Sequence, residues 1–129
     1  MSSRAFLIAG ILFMLLGVMT GAFGAHALKQ MVSENSLDIW KTAASYQMIH
    51  ALALIGLAIH TQLQTLNNWL RASGVCLIAG IFLFSGSLYA LVLLGIPKLG
   101  MLTPVGGLLF IVGWICWLIS AVTRDSTSH

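Results

Sequence analysis

Residues 5–27 read AFLIAGILFMLLGVMTGAFGAHA, a stretch without a single Asp, Glu, Lys or Arg. At 1.5 Å per residue, a helix of this length crosses the ~30 Å hydrocarbon core of a bilayer. Three further runs have the same character: Ala43 to Gln62, Ala72 to Leu94 and Leu102 to Val122. Within all four, histidines are the only side chains able to carry charge near neutral pH. Lipid cannot satisfy a backbone N–H or C=O, so runs this long must be helical, whereas a barrel would need alternating segments of ~10 residues. The expectation is an all-α chain, an integral membrane bundle of four transmembrane helices forming one domain.

Composition agrees with that reading. Of 129 residues 59% are hydrophobic and 7% charged, against ~25% charged in an average soluble domain. Six Lys and Arg against three Asp and Glu give a net charge of +3. These charges fall between the apolar runs, leaving no basic stripe for nucleic acid, and the partner they imply is the lipid bilayer. Met1-Ser2-Ser3-Arg4 followed by an apolar run and Ala25-His26-Ala27 imitates a secretory signal. A signal's apolar region is only ~7–15 residues long, so the first run reads as a retained span.

The connections carry start and stop signals. In Leu28 to Thr42, which holds Lys29, Glu34, Asp38 and Lys41, Ser36 reads as an N-cap with Asp38 in the first turn. The second helix would then start near Leu37, outside the hydrocarbon, with Trp40 in the interfacial aromatic belt. Asn67-Asn68 reads as turn or cap before the interfacial anchor Trp69. Gly95 to Gly100 is a short turn around Pro97. Thr103-Pro104 reads as N-cap and N1 of the last helix, and Asp125 to His129 as a polar tail. Four crossings put both termini on one side. The basic residues that would orient them divide equally, Arg4, Arg71 and Arg124 against Lys29, Lys41 and Lys98, so charge leaves the orientation open.

Connectivity gathers the unusual intramembrane residues into one leaflet, the one opposite the termini. They are His26, Tyr46, Gln47, His50, Ser85, Ser87, Tyr89 and Thr103, with His50 and Ser85 ~10–14 Å below that surface. Tyr46 and His50 are four apart and Gln47 and His50 three apart, so the three can share a face. Ser85 and Tyr89 are likewise four apart, while Ser87 points elsewhere. A candidate polar pocket follows, with His26 and His50 as proton acceptors or ligands. The competing reading is that these groups only hydrogen-bond across helices.

No cofactor and no metal is expected. His26 and His50 alone make a thin site where zinc takes three or four protein ligands, and His60 lies toward the opposite surface. Cys76 and Cys116 are isolated in apolar helix and read as small core residues. A His paired with a Ser or Tyr could in principle do nucleophilic chemistry, but no acid within a span orients one. Gly10, Gly17 and Gly24 recur every seven residues, Gly17 and Gly21 form G-x-x-x-G, and Gly106 and Gly113 repeat the heptad. Such glycines serve close helix packing, within the bundle or between subunits. Trp114 reads as a bundle-packing residue and Trp117 as an interfacial one.

Several blocks together carry a resemblance: Gly21-Ala22-Phe23-Gly24-Ala25-His26, Tyr46-Gln47-x-x-His50, Leu83-Phe84-Ser85-Gly86-Ser87-Leu88-Tyr89, and Thr103-Pro104-Val105-Gly106-Gly107 with Gly113-Trp114. In order and over nearly the whole chain they resemble the small inner-membrane family of unknown function 423, the YgdD-like proteins. The resemblance implies a bacterial inner-membrane, multi-pass protein with cytoplasmic termini, and supplies no reaction. Two functions are expected on these grounds. The first is a non-enzymatic structural bundle that assembles with itself or with another membrane protein. The second is binding or translocation of a small molecule or ion through the polar leaflet.

Overall fold

The computed structural model describes residues 1–125, and 126–129 of the expected polar tail lie outside the described residues. Helix α1 spans Ser3–His26 and α2 Glu34–Leu63. The third crossing consists of α3 (Asn68–Gly80), a single π-helical segment (Ile81–Gly86) and α4 (Ser87–Leu94). Helix α5, Thr103–Asp125, makes the fourth. Short 3-10 turns at Leu28–Gln30 and Pro97–Met101 close two of the connections. No strand occurs among the described residues. The four helical segments are long and apolar enough to cross a membrane, so the chain is an all-α, multi-pass membrane protein.

Helix boundaries follow local chemistry, with two departures from the sequence reading. Helix α2 is capped by Ser33, whose Oγ accepts from the Ser36 N–H at 3.1 Å. Ser36 is therefore inside the helix, where its own hydroxyl accepts a bond from Ser33 Oγ at 3.0 Å. Ser33 takes the cap because it sits on the extended side of the turn, which lets Glu34 enter the first turn facing the positive helix end. At α5 the start moves by one residue. The Leu102 carbonyl accepts from Gly106 N at 3.1 Å, making Leu102 the cap, Thr103 the first helical residue and Pro104 the second. The missing proline N–H still falls among those without an intrahelical acceptor. Asn67 caps α3, accepting from Leu70 N at 2.9 Å. Helix α4 ends on Gly95 at φ 66°, a left-handed conformation suited to glycine, with its N–H bonded to Leu91 O at 2.9 Å.

Helix α2 and the third crossing form the centre. Half of the most apolar stretch of α2 is buried, against 17% for that of α1. Helix α1 packs along α2, and α5 along α3 and the π segment, but α1 and α5 share no packed face. The core joins Phe6, Leu54, Leu57, Leu70, Leu77, Ile81 and Phe110.

Glycines set how closely these helices approach. A Cβ on Gly10 would stand 2.8 Å from Ile55 Cγ1, one on Gly17 2.7 Å from Met48 Cγ and one on Gly24 2.6 Å from Trp40 Cδ1. The heptad stripe of α1 is thus the face laid on α2. Gly21 does not belong to it: no atom lies within 4 Å of its Cβ position. It sits at the edge of the stripe, about 60° around the helix from Gly24, so within this chain its G-x-x-x-G pairing with Gly17 packs nothing. Gly113 meets Leu77, and Gly106 lies against the Leu83–Phe84 backbone of the π segment.

Candidate functional site

The residues expected to form one polar pocket are distributed over several separate hydrogen-bonded groups, and His26 joins none of these. Tyr46, Gln47 and His50 lie on one half of α2, but successive positions turn by about 100°. Gln47 is carried toward α1 and α4, while Tyr46 and His50 look toward α5.

On the α1 side, Gln47 Nε2 donates to Phe13 O at 2.8 Å and its Oε1 accepts from the Tyr89 hydroxyl at 2.7 Å. The Tyr89 oxygen also lies 3.0 Å from Thr20 Oγ1. Trp40 completes this group. Its indole N–H donates to Thr20 O at 2.7 Å, and its ring centroid is 4.7 Å from that of Tyr89. The sequence reading placed Trp40 in the interfacial belt. It is instead buried, because Gly24 leaves room for its ring against α1.

The π segment distributes the serines. An extra residue in the helical turn changes which faces the following positions present. Ser85 Oγ donates to Ala43 O on α2 at 2.7 Å, on the side from which Tyr89 reaches Gln47. Ser87 faces α5, with its Oγ 2.6 Å from Thr103 Oγ1 and donating to Phe84 O at 2.9 Å.

His50 forms the remaining group. Its Nδ1 is 2.7 Å from Tyr46 O, and the Trp114 indole N–H donates to its Nε2 at 3.1 Å. An indole only donates, so Nε2 must offer its lone pair and Nδ1 must carry the proton toward the Tyr46 carbonyl. Both ring nitrogens of neutral His50 are thereby occupied. The ring also stacks on Phe110 at 3.6 Å and 9°. Further along α2 the pattern repeats with His60, whose Nδ1 accepts from Trp117 Nε1 at 2.9 Å. Trp114 and Trp117 are parallel at 5.5 Å, so a row of rings runs from His50 to His60 between α2 and α5. Sequence reasoning missed this row, although the one signal for it was present: two histidines on α2 opposite two tryptophans three apart on the last helix.

His26 stands apart at the exposed end of α1, and the structure does not bring it to His50. Among the described residues no group of three His, Cys, Asp or Glu side chains is placed to hold a metal ion. No buried side-chain nitrogen or oxygen among them lacks a hydrogen-bond partner. A lateral groove of about 730 Å³ opens between α2 and α5, walled by Tyr46, His50, Phe84, Phe110 and Trp114 and floored at one end by Pro104 and Gly107.

The chain is similar to proteins described as membrane proteins. A UPF0382 membrane protein of Staphylococcus aureus strain bovine RF122 is 46% identical over 118 residues, covering 91% of this chain and 94% of that protein. One from Staphylococcus haemolyticus is 44% identical over 118 residues, with the same coverage. No solved structure matches. The family described as "Protein of unknown function (DUF423)" matches residues 20–107, a stretch that runs from Thr20 through the α2 and π-segment polar groups to Gly107. The chain belongs to this DUF423 family of membrane proteins, to which no specific biochemical activity is attached.

Proposed function

We propose that this protein is a non-catalytic bundle of the bacterial inner membrane, with both termini cytoplasmic, that works through assembly with itself or with another membrane protein. The observation carrying this reading is that the buried polar side chains of the described residues are all satisfied within the chain. A catalytic or conducting path keeps polar groups free for substrate or water, and here His50 spends its ring nitrogens on Tyr46 O of its own helix and on Trp114, while Gln47 and Tyr89 bond to each other and Gln47 to Phe13 O. The inner-membrane location and the cytoplasmic termini rest on the family resemblance, since the basic residues divide equally. Two experiments test the reading. Proteoliposomes are expected to pass protons and monovalent cations no faster than protein-free vesicles, and a flux abolished by His50→Ala would overturn it. A side chain at Gly21 starts into open space, with nothing within 4 Å of its Cβ outside the local helix backbone, so a change in oligomer size for Gly21→Leu with unchanged stability supports assembly through that face of α1. Identical monomers for wild type and variant, with no partner captured by crosslinking in cells, would contradict assembly.

A second reading, binding of a small molecule, is favoured by one observation, the lateral groove beside His50.

A further inference from the structure

The groove between α2 and α5 exists because these two helices are held apart by aromatic rings and share no close backbone contact. Its rim residues Ile49, Leu108 and Ile111 are each more than half exposed, which opens it sideways to the bilayer. Water is a poor occupant. A stable water needs two to four polar partners, yet His50 and Trp114 spend their polar atoms on each other and on Tyr46 O, which leaves the Tyr46 hydroxyl as a lone polar partner in a wall otherwise of hydrocarbon and aromatic face. An empty groove would forfeit dispersion contacts along its whole length. From Pro104 to Trp114 it runs ten helical residues, about 15 Å, which is half of a ~30 Å hydrocarbon core. Its length is therefore that of one leaflet, the leaflet in which α2 and α5 begin. Near its outer end stands the 41% exposed Tyr46 side chain, whose hydroxyl makes none of the hydrogen bonds that join the helices.

We propose that this groove binds one hydrocarbon chain of a bilayer lipid from that leaflet, laid along Phe84, Phe110 and Trp114, with the Tyr46 hydroxyl donating to the ester oxygen that joins chain to headgroup. The inference rests on the small-molecule reading and names its ligand class. Headgroup charge plays no part in the recognition, because no charged side chain lines the groove.

The test reconstitutes the full chain in phosphatidylethanolamine vesicles containing a trace of the same lipid with a photoactivatable diazirine in one acyl chain. Crosslinked residues are then mapped by mass spectrometry. Labelling is expected to concentrate on Ile49 and Ile111, and on the buried Phe110 beneath them, over Leu12 and Leu15 of α1, which are as exposed as Ile49 and Ile111. Gly107→Leu, which projects a side chain into the groove, is expected to lower groove labelling about tenfold while leaving α1 labelling unchanged, as displacing roughly two methylenes' worth of burial requires. Tyr46→Phe is expected to lower it for the ester lipid and leave it unchanged for an ether-linked, carbonyl-free lipid of the same chain. Uniform labelling of groove and α1 in the wild type overturns the proposal without reliance on any variant. Equal loss at both places in Gly107→Leu is also contrary to it. A water-soluble ligand found in the groove would refute the lipid chain while leaving the small-molecule reading standing.

Discussion

Gly106→Ala is the smallest change that reaches the junction holding the fourth helix to the third crossing. A Cβ built at Gly106 would stand 2.7 Å from Leu83 C and 2.8 Å from Phe84 Cα, and closer still to Phe84 N. These are backbone atoms, so no rotamer change relieves them. Ordinary contact begins near 3.4 Å, and α5 must therefore withdraw by more than about half an ångström from a close-packed face. Overpacking of this kind costs about 1–3 kcal/mol, from which the helix-propensity gain of Ala over Gly, about 1 kcal/mol, is subtracted. With no flexible side chain to absorb the strain, the upper end applies, a net loss of about 2 kcal/mol. The neighbouring Gly107 supplies the control. Its Cβ would meet only the Phe84 ring, at 3.8 Å, so Gly107→Ala is expected to be neutral or stabilising by up to about 1 kcal/mol. Both are measured by SDS titration in dodecylmaltoside micelles, with tryptophan fluorescence as readout. Equal midpoints for the two variants would refute the close approach at the π segment.

Three further outcomes follow from the hydrogen bonds. Tyr89→Phe removes the donor to Gln47 Oε1 and is expected to cost about 1–2 kcal/mol in the same titration, because the amide oxygen is left buried and unpaired. A double-mutant cycle of His50→Leu and Trp114→Phe is expected to give a coupling near 1 kcal/mol; zero coupling would mean that the 3.1 Å contact contributes nothing. Ser33→Ala is expected to destabilise α2 by about 1 kcal/mol and Ser36→Ala by much less, and the reverse order in thermal unfolding would return the cap to Ser36.

The four crossings were legible because hydrocarbon imposes a single-residue rule, the exclusion of charge, that can be counted along the chain. The expected runs at Ala5 to Ala27, Ala43 to Gln62, Ala72 to Leu94 and Leu102 to Val122 each lie within or close to a helix, and α2 extends outward from its run as its cap signals implied. The heptad of Gly10, Gly17 and Gly24 was readable for the same reason, being a property of one helix. The pairing of side chains was not readable. Gln47 and His50 are three apart and can share a face, yet they part because α1 lies on one side of α2 and α5 on the other. His26 fell in the same leaflet as His50 by connectivity alone, and it stands exposed at the C-terminal end of α1. Trp40 carried the signature of an interfacial anchor and is buried only because Gly24 on another helix makes room. The π segment has no sequence signal at all: Ile81 to Gly86 reads as ordinary apolar helix, and its extra residue is stabilised by tertiary bonds from Ser85 to Ala43 and from Ser87 to Thr103.

The central claim is that the buried intramembrane polar side chains are satisfied by one another and by the backbone, in separate groups that hold no water. It is tested most directly by water-edited solid-state nitrogen NMR of the wild-type protein in bilayers. Polarisation from water is expected to reach the exposed His26 ring and to leave the side-chain nitrogens of Gln47 and His50 dark, with His50 showing a protonated Nδ1 and a bare Nε2. Transfer to Gln47 and His50 as fast as to His26 would contradict the account and place a water-filled path through the bundle.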